Sequence, residues 1–289
     1  MKIKTERRIL ILTFLILPLL HLFIFAYIPI ILNFVLSFSN WNGLDIRNIN
    51  FIGFRNYERL FTDPQFLLLF RNTLWYMLMA IPQLVLSFVL AIFVNGKFKG
   101  LNFFKGVLIF PFLLNGIIIS AIFIIFFNPT GTLNTILEAV GLGFLTRNWL
   151  QQLSLVNPAI ASVSIWRFYG FSFLIFFGAL QAIPEEIYEA AAIDGCTKWK
   201  ETLYISMPFV RKVLFINILL SVSGSIQVFE IPFIIMNGTN NTGTPVIHIH
   251  HSMLDGRIGQ AAATSIVVFL VVLVTVSVQR LLFGEEKKS

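Results

Sequence analysis

The chain has 289 residues, of which 57% are hydrophobic and only 12% charged, and its mean hydropathy is +0.83. A soluble domain carries roughly 25% charged residues, so this composition excludes a water-exposed surface and makes the lipid bilayer the expected solvent. The net charge of +7 is scattered among apolar runs, which argues against nucleic acid as a partner, and the single cysteine, Cys196, excludes intrachain disulfides.

Six stretches reach the roughly 20 apolar residues that cross a bilayer: 9–38, 73–94, 106–127, 155–180, 213–236 and 261–278. An all-α polytopic membrane protein of six transmembrane helices, forming one domain over 1–289, is the expected fold class. The first stretch, 9–38, is longer than an upright span needs. Pro18 and Pro29 are expected to kink it, and its outer end to project beyond the lipid. It opens with Lys2, Lys4, Arg7 and Arg8, as a secretory signal would. Its apolar run is too long for one, however, and no small-x-small site closes it, so a retained helix is predicted. His21, alone in this span, is expected to be packed or hydrogen-bonded.

Basic residues set the orientation. With the N-terminus in the cytoplasm, fourteen of the 21 Lys and Arg fall on inner segments, among them Lys97, Lys198, Lys200, Arg211, Lys287 and Lys288. Six fall outside, and Arg167 lies within a span. Both termini and the polar loop 184–208 are therefore predicted to be cytoplasmic. The outer loops 39–72, 128–154 and 237–260 are too short to be separate domains. His248, His250 and His251 lack the carboxylate or cysteine spacing of a metal site, and no metal is expected. No internal repeat, catalytic cluster or phosphate-binding glycine loop is present, so the chain is predicted to be no enzyme and unable to hydrolyse ATP.

Two spans carry notable polar residues. Arg167 costs about 3 kcal/mol at mid-span, against about 5 returned by the thirteen Leu, Ile, Val and Phe residues of 155–180. The span inserts, and its arginine must face protein, water or the interface. A pathway lining and a structural pair with Glu230 are both open readings. The stretch 213–236 holds Ser221, Ser223, Gly224, Ser225, Gln227 and Glu230. Sugars are bound by dense hydrogen bonding and by apolar ring faces against aromatics, which Gln227, Glu230 and Phe229 can supply. Ser221 to Ser225 fits a helix-packing seam equally well, and packing is the expectation for Ser223 and Gly224. Tyr169, Asn115 and Gln83 are further pathway candidates.

The most specific signal lies between the fourth and fifth spans. Glu189-Ala190-Ala191, three residues, Gly195, nine residues, then Ile205-Ser206-Met207-Pro208 resembles the cytoplasmic EAA loop of ATP-binding-cassette (ABC) importer permeases. The pattern there is E-A-A-x3-G-x9-I-x-L-P, and only Met207 departs from it. Helical spacing puts Ile187, Ala190, Ala191 and Asp194 on one face, with Pro184 at the first helical position. Gly195 tolerates the positive φ that would end this helix. A second short helix through Trp199 and Leu203 would follow, with Pro208 starting the return to the membrane.

The resemblance runs over about 72–283. It is nearest to the carbohydrate-uptake permeases for maltose, oligosaccharides and glycerol 3-phosphate. It is carried also by Asn72-Thr73-Leu74, Gly131-Thr132-Leu133-Asn134, Asn148-Trp149-Leu150 and the run from Ala179 to Gly195. It implies a type I importer architecture in the plasma (inner) membrane of a prokaryote, and a heterodimer with a second permease. It further implies two ABC ATPase subunits that hydrolyse the ATP, and an extracellular or periplasmic sugar-binding protein. Loop residues Glu189, Ala190, Ala191, Asp194, Gly195, Ile205 and Pro208 would couple to the ATPases; no cofactor would be bound by this chain. The tail 284–289 resembles that of the first, maltose F-like subunit. The rival expectation is an ion-gradient-driven secondary transporter, for which Glu230 would be the one acidic residue within a span.

Overall fold

The computed structural model describes residues 2–45, 47, 49–96 and 99–283; Lys97 and the tail 284–289 lie outside the described residues. Its regular elements are helices, with an isolated antiparallel bridge between Ser39 and Phe51. They fall into two units, 1–64 with 248–270 and 65–247 with 271–289.

The first unit opens with α1 (Lys2–Leu22), a π-turn (Phe23–Tyr27) and α2 (Ile28–Leu36). Residues 12–36 have a mean hydropathy of 2.5 and none is buried, the signature of a helix whose solvent is lipid. At the π-turn the Ile28 N–H bonds to Phe23 O, five residues back. The next residue is Pro29, whose ring would strike the Phe25 carbonyl in an α-turn and which has no N–H to offer. The wider ring relieves that clash, so the predicted kink at Pro29 takes the form of a π-insertion. His21 packs its ring 4.6 Å from that of Phe25 and is otherwise exposed.

Beyond α2 the chain folds onto α3 (Arg55–Thr62). Buried Asn56 donates to Ser37 O (2.9 Å) and Ser39 O (2.8 Å), and Tyr57 Oη donates to Ser37 Oγ (2.7 Å). Gly259, early in α14 (Ile258–Phe283), comes so close that a Cβ there would lie 2.0 Å from Ser39 O. His248 sits on α13 (Pro245–Leu254), where burial, with a smaller push from Arg257 against the pull of Asp63, holds its imidazole below the usual range.

In the second unit α4 (Pro64–Val94) and α8 (Val156–Gln181) are continuous spans. The third predicted span is not one helix. α5 (Leu101–Leu113) and α6 (Gly116–Phe126) are bent by 91° about extended Leu114 and Asn115, so six spans are reached only by counting this pair as one. α7 (Thr132–Ala139) follows outside that pair. The fifth predicted span is likewise interrupted, at 227–229, between α11 (Met207–Ile226) and α12 (Glu230–Met236). One core gathers Tyr76, Ile119, Ile160, Val163 and Ile231 from α4, α6, α8 and α12. A second gathers Leu84, Ala91, Phe173, Phe176 and Val210 from α4, α8 and α11. At Gly170 of α8 a Cβ would lie 2.5 Å from Leu108 O, so glycine there lets α5 and α8 meet backbone to side.

The polar runs between spans serve as pins. Asn72 donates to Asn241 O and Gly243 O (both 2.8 Å), and Asn157 donates to Asn241 O (2.9 Å). Asn237, Asn240 and Asn241 have positive φ, which asparagine tolerates better than most residues. Asn134 donates to Pro129 O and Arg147 O and accepts from Trp149 Nε1 (2.8 Å). These bonds give Asn72, Asn134 and Trp149 structural work in the motifs that carried the resemblance.

Candidate functional site

Where the broken helices meet α8, the second unit encloses a cavity of about 530 Å³. Arg167, Phe168, Phe171 and Ser172 reach it from α8, Tyr76 and Gln83 from α4, and Phe112 from α5. From α11 come Asn217, Ser221, Gly224 and Ser225, followed by Gln227, Phe229 and Glu230 at the break. Arg167 Nη1 donates to Glu230 Oε2 at 2.6 Å, so the mid-span arginine has the acidic partner considered from sequence. The guanidinium also lies over the Phe168 ring, 5.2 Å from its centroid.

Glu230 is held from a second side. It is the first residue of α12, and its carboxylate packs on Gly116, the first residue of α6. Both helix N-termini favour a negative charge there. A Cβ on residue 116 would come 2.2 Å from the Glu230 carboxyl carbon, so this glycine supplies room rather than flexibility.

Several buried polar atoms in the cavity wall have no hydrogen-bond partner: Tyr76 Oη, Ser164 Oγ, Arg167 Nε, and both Asn217 Nδ2 and Oδ1. Buried polar atoms are normally paired. These atoms are shielded from the cavity, whose open polar surface comes from Arg167, Ser221, Gln227 and Glu230, with the phenylalanines offering apolar faces beside them.

Of the sequence candidates, Gln227, Phe229, Glu230, Arg167 and Gln83 line this cavity. Asn115 and Tyr169 do not. Asn115 is the N-cap of α6, its Oδ1 accepting from the Ile117 N–H at 2.8 Å, and Tyr169 offers its backbone carbonyl to Ser87 Oγ. Gly224 lines the cavity, and among the described residues no atom lies within 4 Å of where a Cβ would stand, so it packs on no other element of this chain. Sequence reading missed Asn217, Tyr76, Ser164 and Gly116. Asn217, Ser221, Gly224 and Ser225 recur at helical spacing, a polar stripe that would have revealed the first of these.

The loop 184–208 folds as α9 (Glu185–Ile193) and α10 (Lys198–Glu201). Pro184 is the N-cap, one position earlier than expected, with ψ at 136°. Gly195 has φ +72°; the Cys196 N–H bonds to Ala191 O (2.9 Å) and the Gly195 N–H to Ala192 O (3.1 Å). This is a Schellman closure. Glu189, Ala190, Asp194 and Gly195 are exposed, Ala191 partly so, and Ile193 and Trp199 are 86% and 71% exposed. Ile205 packs with Ile187 and Tyr188 on the second core, and Tyr188 Oη lies 3.3 Å from Ser206 Oγ.

Pro208 starts no new segment. α10 runs through a π-turn (Thr202–Ser206) directly into α11, giving one helical run over 198–226. Met207 N–H bonds to Thr202 O, five back, one residue before the proline. This is the register seen at Pro29, with the same cause.

The sequence profile described as "Binding-protein-dependent transport system inner membrane component" matches residues 69–284. The chain is 31% identical over 278 residues to the probable ABC transporter permease protein YurN of Bacillus subtilis (strain 168), covering 94% of this chain and 95% of that one. It is 30% identical to the multiple sugar-binding transport system permease protein MsmF of Streptococcus mutans, covering 90% of each. Among solved structures, the fold is similar to a chain of a bacterial ABC transporter involved in the import of the acidic polysaccharide alginate. The TM-score is 0.83 at 24% identity, over 99% of this chain and 98% of that chain.

Proposed function

Because the chain belongs to the family of binding-protein-dependent transport system inner membrane components, and is therefore a multi-pass permease and not an enzyme, we propose that it is one of two unlike permease subunits of an ATP-driven sugar importer. A solute-binding protein delivers the sugar outside, and two ATPase subunits hydrolyse the ATP, one of them docked on the cytoplasmic loop 184–208. The sugar class is supported by the relatives' names and by the amide and hydroxyl side chains set among phenylalanines in the cavity lining. The prokaryotic sources of the relatives support the plasma membrane of a prokaryote, and the distribution of Lys and Arg supports both termini inside.

The observation that carries the mechanism is the unbroken helical run 198–226. Its lower end belongs to the exposed loop, and its upper part bears Asn217, Ser221 and Ser225 in the cavity wall. α9, with Glu189, Ala190 and Ala191, seats in the ATPase, and the closed cap at Gly195 makes α9 and α10 move as one piece. Closure of the ATPase pair tilts the run and re-aims the cavity. ATP and the loaded binding protein each stabilise one of two arrangements.

Gly195→Val tests this. A β-branched residue at φ +72° costs about 1–2 kcal/mol and opens the cap. In vesicles carrying the whole complex, sugar uptake is expected to fall at least several-fold while assembly persists. Undiminished uptake would count against coupling through this loop. The rival ion-gradient reading requires a carboxylate free to exchange its cation, whereas Glu230 is committed to Arg167. Uptake that survives ATP depletion and stops with an uncoupler would restore that rival.

A further inference from the structure

We infer that the cavity admits neutral sugars and rejects acidic ones, and that Glu230, seated by Gly116, sets this preference by neutralising Arg167. The inference rests on the sugar-permease reading and adds the charge class of the ligand. Among the described residues, the lining holds one cation and one anion, and these are bonded to each other at 2.6 Å. The Arg167 side chain is 15% exposed and that of Glu230 42%, so the guanidinium is the more enclosed of the two.

A carboxylated sugar entering such a space needs a cation that is not already committed, since burying an unpaired charge is costly. None is offered. The rest of the polar lining consists of amides and hydroxyls, among them Gln83, Ser221, Ser225 and Gln227. Amides and hydroxyls together match the hydroxyl groups of a neutral sugar, which donate and accept alike.

Glu230 is not placed by Arg167 alone. The N-terminal ends of α6 and α12 converge on its carboxylate, and the space it fills exists because residue 116 lacks a Cβ. The likeness to an importer of an acidic polysaccharide is one of fold, so the charge class has to be read from these side chains.

The test uses the complete complex of both permeases and both ATPases in lipid nanodiscs, without the binding protein. It is titrated with radiolabelled maltose, lactose, cellobiose and arabinobiose, and with digalacturonate. The wild type is expected to bind a neutral disaccharide, and to bind digalacturonate at least about ten-fold more weakly. Glu230→Gln leaves Arg167 without its counter-charge and should tighten digalacturonate by about ten- to a hundred-fold, the scale of one charge-assisted hydrogen bond. Gly116→Ala, which displaces the carboxylate by contact alone, should shift binding in the same direction. The double variant Arg167→Gln/Glu230→Gln should keep the neutral preference, because it removes the cation together with its counter-charge. Wild-type complex that binds digalacturonate as tightly as its best neutral disaccharide would overturn the inference and leave the sugar-permease reading standing. So would assembled Glu230→Gln and Gly116→Ala complexes with unchanged acid binding. Assembled wild type that binds no member of the panel would overturn the sugar-permease reading, and the inference with it.

Discussion

At the scale of single residues, Asn217 states the central trade-off of this molecule. It is 1% exposed, and neither amide atom has a partner. An unsatisfied buried polar group costs about 1–3 kcal/mol, a cost tolerated where a ligand supplies the missing bonds. Asn217→Leu is therefore expected to raise the melting temperature of the purified complex and to cut sugar uptake at least ten-fold; a thermal-shift assay and vesicle uptake on one preparation check both halves. His248 gives a pH prediction. Burial lowers its folded pKa, so the unfolded chain binds more protons as the solution acidifies. The stability held by neutral His248 is complete above the unfolded value near 6.5 and is lost as pH falls toward the lowered folded value. His248→Asn should flatten the melting temperature over about pH 5–7 relative to wild type. Arg167 and Glu230 were legible in the sequence because a charge inside an apolar run is conspicuous. Gly116 was not, since nothing local marks a glycine that makes room for a side chain more than a hundred residues away.

At the scale of elements, the apolar runs announced the spans, while the breaks inside them were hidden. Hydropathy averages over a window, and the 106–127 stretch stays apolar straight through its 91° bend. Only Asn115, with cap chemistry, hinted that a helix begins there; it was read as pathway because polar residues in spans serve both purposes. The two π-turns were similarly masked. A kink was expected at Pro29, but neither there nor at Pro208 does the sequence announce that an extra residue is taken up in a turn starting six positions upstream, at Phe23 and Thr202. Pro208→Ala removes the reason for the second π-turn and allows the α-helical register to close. The segment below would then be rotated against the cavity by about one residue's turn, roughly 100°. The expected outcome is an assembled complex in which ATP hydrolysis continues and sugar moved per ATP falls several-fold, measured by paired phosphate-release and uptake assays.

At the scale of the whole molecule, the orientation has a ready probe in the lone cysteine. Cys196 is partly exposed and caps α9 inside the loop assigned to the cytoplasm. A membrane-impermeant maleimide should leave it unlabelled in intact cells and label it in inside-out vesicles. Added ATPase subunits should protect it. Labelling from outside intact cells would reverse the assigned topology. The family's fold was readable because lipid forces a simple pattern on sequence, and the loop 184–208 because a polar, closely spaced motif stands out against it; the cavity emerged only once five separate helices were assembled. One last consequence concerns the stretch 198–226, a rod about 40 Å long at 1.5 Å per residue. Pivoted at its middle, it turns a tilt of about five degrees into roughly 2 Å at either tip, enough to break a hydrogen bond. Levers work in both directions: under the proposed coupling, a sugar that grips the upper tip would bias nucleotide affinity at the lower one by the same factor that nucleotide biases the sugar.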